Sequence, residues 1–252
     1  MSGHSHWAGI KNKKGAADAK RSAEFSKVAR IIMSAAREGG GDIAANIKLK
    51  NAIDKARQVS MPKDNIERAI KKGTGELPGV TYEETMYEGY APGGVAVIVE
   101  ALTDNKNRTT AEIRKTFENR GGNLGGAGCV AWMFEKKGLI TLDRAAIGED
   151  ELMDLALDLG AEDMRAADSM YEIITSVQDF VKVKQALEKK SLKLEVAEIS
   201  WIPKQTVHLE GDLAKRVLSM LEQLEENEDV QNVHANFDIP DKVMQEYAAA
   251  SG

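Results

Sequence analysis

The sequence predicts an α+β protein with an N-terminal three-helix domain followed by two ferredoxin-like α/β domains, one inserted in the other. Three observations predict it. Apolar residues recur at i, i+3, i+4 spacing in the first part of the chain. A glycine- and proline-bearing linker, Thr74–Gly79, then changes the texture. Beyond it the pattern runs β-α-β-β-α-β about twice, which suits α/β sandwiches better than a long parallel sheet. A length of 252 residues accommodates two or three domains.

Residues 1–15 are glycine-rich, polar and basic without a sustained period, and read as a mobile arm. The stripe Phe25, Val28, Ala29, Ile32, Met33, Ala36 predicts a first helix over 17–38, ended by Gly39-Gly40-Gly41. Asp42 is the expected N-cap of a second helix over 43–59, with Leu49, Ala52, Ile53 and Ala56 inward. Pro62 opens a third, carrying Ile66, Ala69 and Ile70 and closed by Gly73. Residues 87–90 and 95–102 read as strands. Thr109-Thr110-Ala111-Glu112 reads as a capping box for a helix to Arg120. Strands follow at 129–134 and 138–142, around a turn at Glu135-Lys136-Lys137.

A helix is expected over 149–159, then strands at 164–167 and 171–175. Ser176 to Asp179 is a second capping signal, for a helix carrying Val183 and Leu187. Strands at 192–202 and 207–210, a helix capped by Asp212, a strand at 232–238 and a frayed tail at 248–252 complete the chain. These lengths fit three units: residues 1–79, residues 80–136 completed by 206–240, and an inserted 137–205.

Composition narrows the function. The net charge of −6 conceals a division. Residues 1–75 hold 16 Lys+Arg and 7 Asp+Glu, a balance of +9; the rest holds 34 − 16 = 18 and 40 − 7 = 33, a balance of −15. A basic module on an acidic body points to a polyanionic partner. Lys11, Lys13, Lys14, Lys20, Arg21, Lys27, Arg30 and Arg37 supply the candidate nucleic-acid-binding set. On a helical wheel Lys20 nearly eclipses Lys27, and Arg30 nearly eclipses Arg37, giving a basic edge away from Phe25 and Ile32. Phosphate backbones favour such a row because each neutralised phosphate releases counterions. The alternative for the basic edge is a solvated helix face, or docking of this module onto the acidic body of the same chain. Secondary candidates are Trp7, an aromatic beside the lysine cluster that could equally stack on a base or staple the helical bundle, and Lys106 and Arg108 ahead of a helix start.

Other chemistries find little support. One cysteine, Cys129, rules out an intrachain disulfide and offers no thiolate set for zinc. His4 and His6 lie far in sequence from His208 and His234, so no metal and no cofactor is expected. The stretch Gly121–Gly128 follows a helix and opens a strand, the reverse of a phosphate loop, so it reads as a tight turn, with an anion nest as the lesser alternative. No nucleophile elbow or acid–base pair stands out, so neither an enzyme nor a small-molecule substrate is expected. No signal or membrane-spanning run is found, and a reducing, cytoplasmic setting follows.

Several stretches together resemble one family. They are Gly3-His4-Ser5-His6-Trp7 with the lysines after it, Ser60–Ile70, Tyr87–Thr109, Gly121–Phe134 and Asp229–His234. On these the chain is similar, nearly end to end, to the YebC family, the PmpR-type transcriptional regulators, which includes the mitochondrial translational activator of cytochrome c oxidase. The family often has an acidic and a small polar residue where this chain has Gly126 and Cys129. The resemblance implies three domains and a cytoplasmic, non-catalytic regulator of gene expression. Some members are described as DNA-binding regulators of transcription, others are tied to ribosomes and translation. Duplex DNA and RNA or the ribosome therefore stand as the two expected partners, with DNA first, and no membrane.

Overall fold

The computed structural model describes residues 18–166 and 170–250. Three helices come first: α1 (Asp18–Gly39), α2 (Ile47–Gln58) and α3 (Lys63–Thr74). Val28, Ile32, Ala35 and Ala36 of α1 bury against Leu49, Ala52, Ile53 and Ala56 of α2 and Ile66 and Ala69 of α3. The predicted stripes thus form one small core. The caps differ from expectation. Asp42 makes only a local turn, its Oδ1 accepting from Ala44 N at 2.9 Å. Asn46 is the N-cap: Oδ1 accepts from Leu49 N at 3.0 Å, and Nδ2 donates to Ala35 O and Gly40 O, both at 2.8 Å. One buried amide therefore ties the end of α1 to the start of α2. Gly73 does not close α3. It lies inside the helix where a Cβ would sit 2.5 Å from Met33 O, so it permits α3 to cross α1 closely, and Gly75, at φ +86°, is the terminator.

The first sheet begins with the hairpin β1 (Glu83–Ala91) and β2 (Val95–Thr103), paired from Glu83↔Thr103 to Ala91↔Val95. Helix α4 (Lys106–Asn119) leads to the short β3 (Asn123–Leu124), which pairs with β1. After a long excursion, α7 (Gly211–Glu226) leads to β9 (Val230–Ala235), which pairs with β2. The order β3-β1-β2-β9 is that of a ferredoxin-like sheet whose third strand comes first in the chain. Val95, Val97 and Val99 pack under α4 and α7 with Ile113, Phe117, Val217 and Leu221. Ala96 and Ile98, on the opposite face, pack against Val130 and Phe134. Burial on both faces explains why β2 reads as an unbroken apolar run rather than an alternation.

The excursion forms the second sheet: β4 (Phe134–Asp143), α5 (Glu149–Leu159), β5 (Ala161–Ala166), β6 (Met170–Thr175), α6 (Phe180–Lys189) and β7 (Leu194–Pro203). Its order, β5-β6-β4-β7, is a βαββαβ unit in direct sequence. The chain then makes β8 (Val207–His208), which pairs in parallel with β10 (Phe237–Asp238).

Several local readings change here. Residues 129–134 do not form a strand: Ala131–Met133 is a 3₁₀ turn and β4 begins at Phe134, and within the turn expected at Gly121–Gly128 the pair Asn123–Leu124 joins the sheet as β3. Glu135-Lys136-Lys137 is not a turn. Strand β4 runs straight through it because all three pair with β7, opposite Ile202, Trp201 and Ser200. Long-range pairing outweighs local polarity. Thr109 is not a cap: α4 starts earlier, with Asn105 Oδ1 accepting from Arg108 N at 3.1 Å. Similarly, α7 starts at Gly211 after Glu210, with Asp212 in its first turn rather than capping it. A helix not expected, α8 (Asp241–Ala250), buries Met244 and packs Val243 and Tyr247 on the first core. Ser251 and Gly252 lie outside the described residues, so the expected frayed tail falls partly there.

The two sheets meet at a buried polar junction. Glu100 on β2 accepts from Asn232 Nδ2 at 2.9 Å and from Trp201 Nε1, on β7, at 3.0 Å. His234 bridges the two sheets: its Nε2 lies 3.4 Å from Glu100 Oε2 and its Nδ1 3.1 Å from Ser200 Oγ. Burial opposes ionisation of Glu100, but the bonds from His234, Asn232 and Trp201 outweigh it and hold the carboxyl down at about 2. A depressed carboxyl contributes stability that is complete above its ordinary value of 4.5 and disappears as pH falls toward 2. Glu100→Gln should therefore cost roughly 1–3 kcal/mol at neutral pH, after discounting for partial exposure. Denaturant unfolding against pH checks this. The gap between wild type and variant should close between pH 4.5 and about 2; a constant gap would contradict it.

Candidate nucleic-acid interface

The helical unit supplies the cations, and the structure divides them into two groups. Lys27 and Arg30 face the α/β body. Lys27 Nζ donates to Glu225 O at 2.5 Å. Arg30 donates to Glu228 O at 2.8 Å and Glu228 Oε2 at 3.0 Å, and its Nη1 also reaches Asp229 Oδ1. The guanidinium lies 5.6 Å from the centroid of Tyr82. These two members of the predicted basic edge therefore hold α1 to the carboxyl end of α7 and the turn before β9.

Asp229 gathers the junction. Only 3% of its side chain is exposed. Besides Arg30 it accepts from Thr109 Oγ1 at 2.6 Å, Arg108 Nη2 at 2.8 Å and Thr103 Oγ1 at 3.1 Å. Burial would raise its pKa, but Arg108, Thr109, Arg30 and Thr103 together lower it. Arg108 also meets Asp104 at 2.8 Å, and its bonds to both carboxylates raise its own pKa. Arg108, one of the two secondary candidates, is thus paired with the protein's own carboxylates while 43% of its side chain stays exposed. Lys106 beside it is exposed, and its carbonyl accepts from Thr110 Oγ1 at 2.6 Å.

Several other cations among the described residues face outward. Arg37 is exposed in the last turn of α1, beside a cleft lined by Gly40, Gly73, Thr74 and Gly75. Lys50 and Lys55 of α2 and Arg68 and Lys71 of α3 are exposed and make no ion pair among the described residues. Lys48, Arg57 and Lys63 pair only with exposed Glu38, Asp54 and Glu67. Exposed pairs contribute about 0–1 kcal/mol, so a phosphate competes readily for them. The α2 and α3 cations escaped the basic-edge reading because that reading followed α1 alone. Their positions, off the Leu49–Ala56 and Ile66–Ala69 stripes, were the available signal.

Lys11, Lys13, Lys14 and Trp7 lie outside the described residues, as do His4 and His6. Lys20 and Arg21 fall in the first turn of α1. Among the described residues no group of three or more His, Cys, Asp or Glu could hold a metal ion. None of their helices is long and apolar enough to cross a membrane.

The glycine-rich stretch is a nest already filled from within. Glu88 on β1, 2% exposed, accepts from Gly128 N at 2.7 Å, Val130 N at 2.8 Å and Ala131 N at 2.7 Å. Burial opposes ionisation of Glu88, and the three N–H groups overcome it, leaving its pKa lowered. Gly125 must lack a side chain, since a Cβ there would stand 2.4 Å from Cys129 Sγ. Burial, and then Glu88, push the Cys129 thiol up, away from the reactive thiolate.

Comparison with known proteins places this arrangement. Residues 5–76 match the family model described as the TACO1/YebC protein N-terminal domain, and residues 82–237 match the TACO1/YebC second and third domain. A probable transcriptional regulatory protein of Syntrophobacter fumaroxidans is 55% identical over 249 residues, covering 98% of this chain and 100% of the relative. One so named from Dictyoglomus turgidum is 52% identical, covering 97% and 99%. The crystal structure of a conserved hypothetical protein from Aquifex aeolicus superposes with a TM-score of 0.82 at 48% identity, covering 93% of this chain and 97% of that one. With both family models matched in succession and near-complete coverage at more than half identity, the chain belongs to the TACO1/YebC family.

Proposed function

We propose that this chain is a non-enzymatic, nucleic-acid-binding regulator of gene expression that grips a phosphate backbone with its basic helical unit. In this reading residues 1–79 form the binding domain, and residues 80–136 with 206–240, and the inserted 137–205, form the acidic body that carries it. The observation that carries it is the charge division of +9 in residues 1–75 against −15 elsewhere, derived from 16 against 7 and 18 against 33 charges. Arg37, Lys50, Lys55, Arg68 and Lys71 remain turned to solvent, although Lys27 and Arg30 are engaged.

Duplex DNA is the first target, since relatives carry the name of probable transcriptional regulatory proteins. The short turn Val59–Pro62 between α2 and α3, with Ser60 at φ 59°, also suits a helix-turn-helix-like pair. Structured RNA, including the ribosome, is a second reading favoured by one observation. The exposed part of α3 sets Asp64 and Glu67 among Asn65 and Arg68. Carboxylates there oppose deep seating in a major groove, whereas they tolerate backbone contact.

Alanine at Lys13, Lys14, Lys20 and Arg21 together should weaken binding to unrelated sequences alike. The salt dependence of log K should flatten by about one unit per lost phosphate contact. Titration of the full chain with a blunt DNA duplex and a structured RNA at several salt concentrations checks this. An unchanged slope on both removes these residues from the interface. A preference for one probe that persists across salt decides between the two targets.

A further inference from the structure

Trp132 stands apart from the site above. It is 67% exposed, in the short 3₁₀ turn Ala131–Met133 that follows the glycine-rich stretch. A lone exposed apolar side chain is ordinary. This one is held rigid. Its Nε1 donates to Cys129 O at 3.1 Å, so the indole is fixed to its own loop. The same carbonyl accepts from Tyr90 OH at 3.2 Å. The loop backbone is fixed in turn by Glu88, through the N–H groups of Gly128, Val130 and Ala131.

The neighbourhood suits a flat, anionic guest. Gly125, Gly126, Ala127 and Gly128 are exposed and carry no side chain larger than a methyl, and a Cβ at Gly126 or Gly128 would meet nothing within 4 Å. A planar group can therefore reach the loop unobstructed. Lys204 adjoins it, its N–H donating to Met133 O at 2.9 Å, and Lys136 follows on β4. Both lysines are about half exposed, at 50% and 53%, and each is held only by a long ion pair, Lys204 to Glu135 at 3.6 Å and Lys136 to Glu100 at 3.9 Å, with Lys136 also 5.5 Å from the centroid of Trp201; such half-exposed pairs contribute about 0–1 kcal/mol, so a phosphate can compete for the lysines. A rigid aromatic face, an open backbone and cations at its border are the parts of a stacking platform for single-stranded nucleic acid.

We propose that Trp132 stacks on an unpaired nucleobase, with Lys136 and Lys204 near the adjoining phosphates. The platform lies on the α/β body, and the inference rests on the nucleic-acid reading of the chain. A strand bound to the helical unit would then have a second contact where its bases are unpaired.

The test uses the full chain, Trp132→Ala and Trp132→Phe. The probes are a fluorescein-labelled single-stranded RNA of about twelve nucleotides, its DNA counterpart and a blunt duplex of equal length, read by anisotropy. Trp132→Ala should weaken single-strand binding roughly 5- to 100-fold, on at least one of the two strands. Trp132→Phe should retain most of it, and duplex binding should change by less than about twofold. Near-UV circular dichroism confirms that the variants fold. Unchanged single-strand affinity overturns the platform while leaving the function intact, and points to a protein contact instead. An equal loss on all probes also overturns it. A wild-type chain that binds none of them overturns both.

Discussion

Replacing Asp229 by alanine is expected to destabilise the protein by about 3–5 kcal/mol and to loosen the helical unit from the α/β body. The carboxylate accepts from Arg30, Arg108, Thr103 and Thr109 while only 3% exposed. Removing one member of a buried ion pair leaves the other charged and desolvated, which costs far more than the intact pair contributes. The guanidinium of Arg30, with 13% of its side chain exposed, retains Glu228 and the ring of Tyr82 but no buried carboxylate. Arg108 retains Asp104. The threonine hydroxyls also lose a shared acceptor, although Thr109 Oγ1 keeps Thr103 Oγ1 at 2.8 Å. Asn at this position should recover part of the loss, because an amide oxygen still accepts. Chemical denaturation gives the magnitude, and limited proteolysis after Gly75 reports the loosening. Arg30→Met, which removes the charge with its partner still bonded to Arg108, should cost less than Asp229→Ala. Equal or smaller losses for Asp229→Ala would contradict the shared-acceptor account.

The second large effect concerns Glu88. Glu88→Ala should cost about 3–5 kcal/mol, because three buried or half-buried backbone N–H groups lose their acceptor together. Each unsatisfied group costs about 1–3 kcal/mol, and local relaxation toward water recovers some of it. Glu88→Gln should cost less, since its remaining oxygen still accepts. Its amide nitrogen nevertheless faces N–H groups and repels them. The loss should concentrate in the loop. Amide hydrogen exchange at Gly128, Val130 and Ala131 should accelerate beyond the change in global stability, and the fluorescence of Trp132 should shift. Uniform acceleration across β1 and β2 would instead mean that Glu88 acts through the sheet alone. The ionisation linkage has the same sign as at Glu100. The Glu88 carboxyl is lowered, so its contribution declines in acid, and the loop should loosen as pH falls below the ordinary carboxylate range.

These two residues show where local reading stops. Asp229 stands in the sequence as the first residue of the stretch Asp229–His234, and Glu88 as a polar residue inside the strand expected at 87–90, with nothing local to say what either carboxylate binds. The acceptor geometry around Asp229 joins positions 30, 103, 108 and 109, separated by as many as 199 residues, and pairing at such distance leaves no local mark. The glycine-rich loop illustrates the same limit. Its several glycines were legible, and an anion nest was one of two readings. That its N–H groups close on a carboxylate from β1 depends on the hairpin placing Glu88 beneath them.

The amino-acid sequence alone determined most of the order of elements, the three apolar stripes of the helical unit and the division of charge between its two parts. Each follows from short-range periodicity or simple counting, where 3.6-residue and two-residue repeats leave an unmistakable pattern. The tertiary structure alone decided which cations face solvent. Arg30 and Arg37 share one helical edge, yet Arg30 is bonded to Asp229 and Glu228 while Arg37 is exposed. It also decided that a run of three charged residues belongs near the start of β4 and not in a turn, and that residues 241–250 form a helix against the first core. The reason is common to all three. Whether a side chain meets water, a carboxylate or a neighbouring strand depends on segments remote in the chain, and those meet only when the sheets and helices have packed.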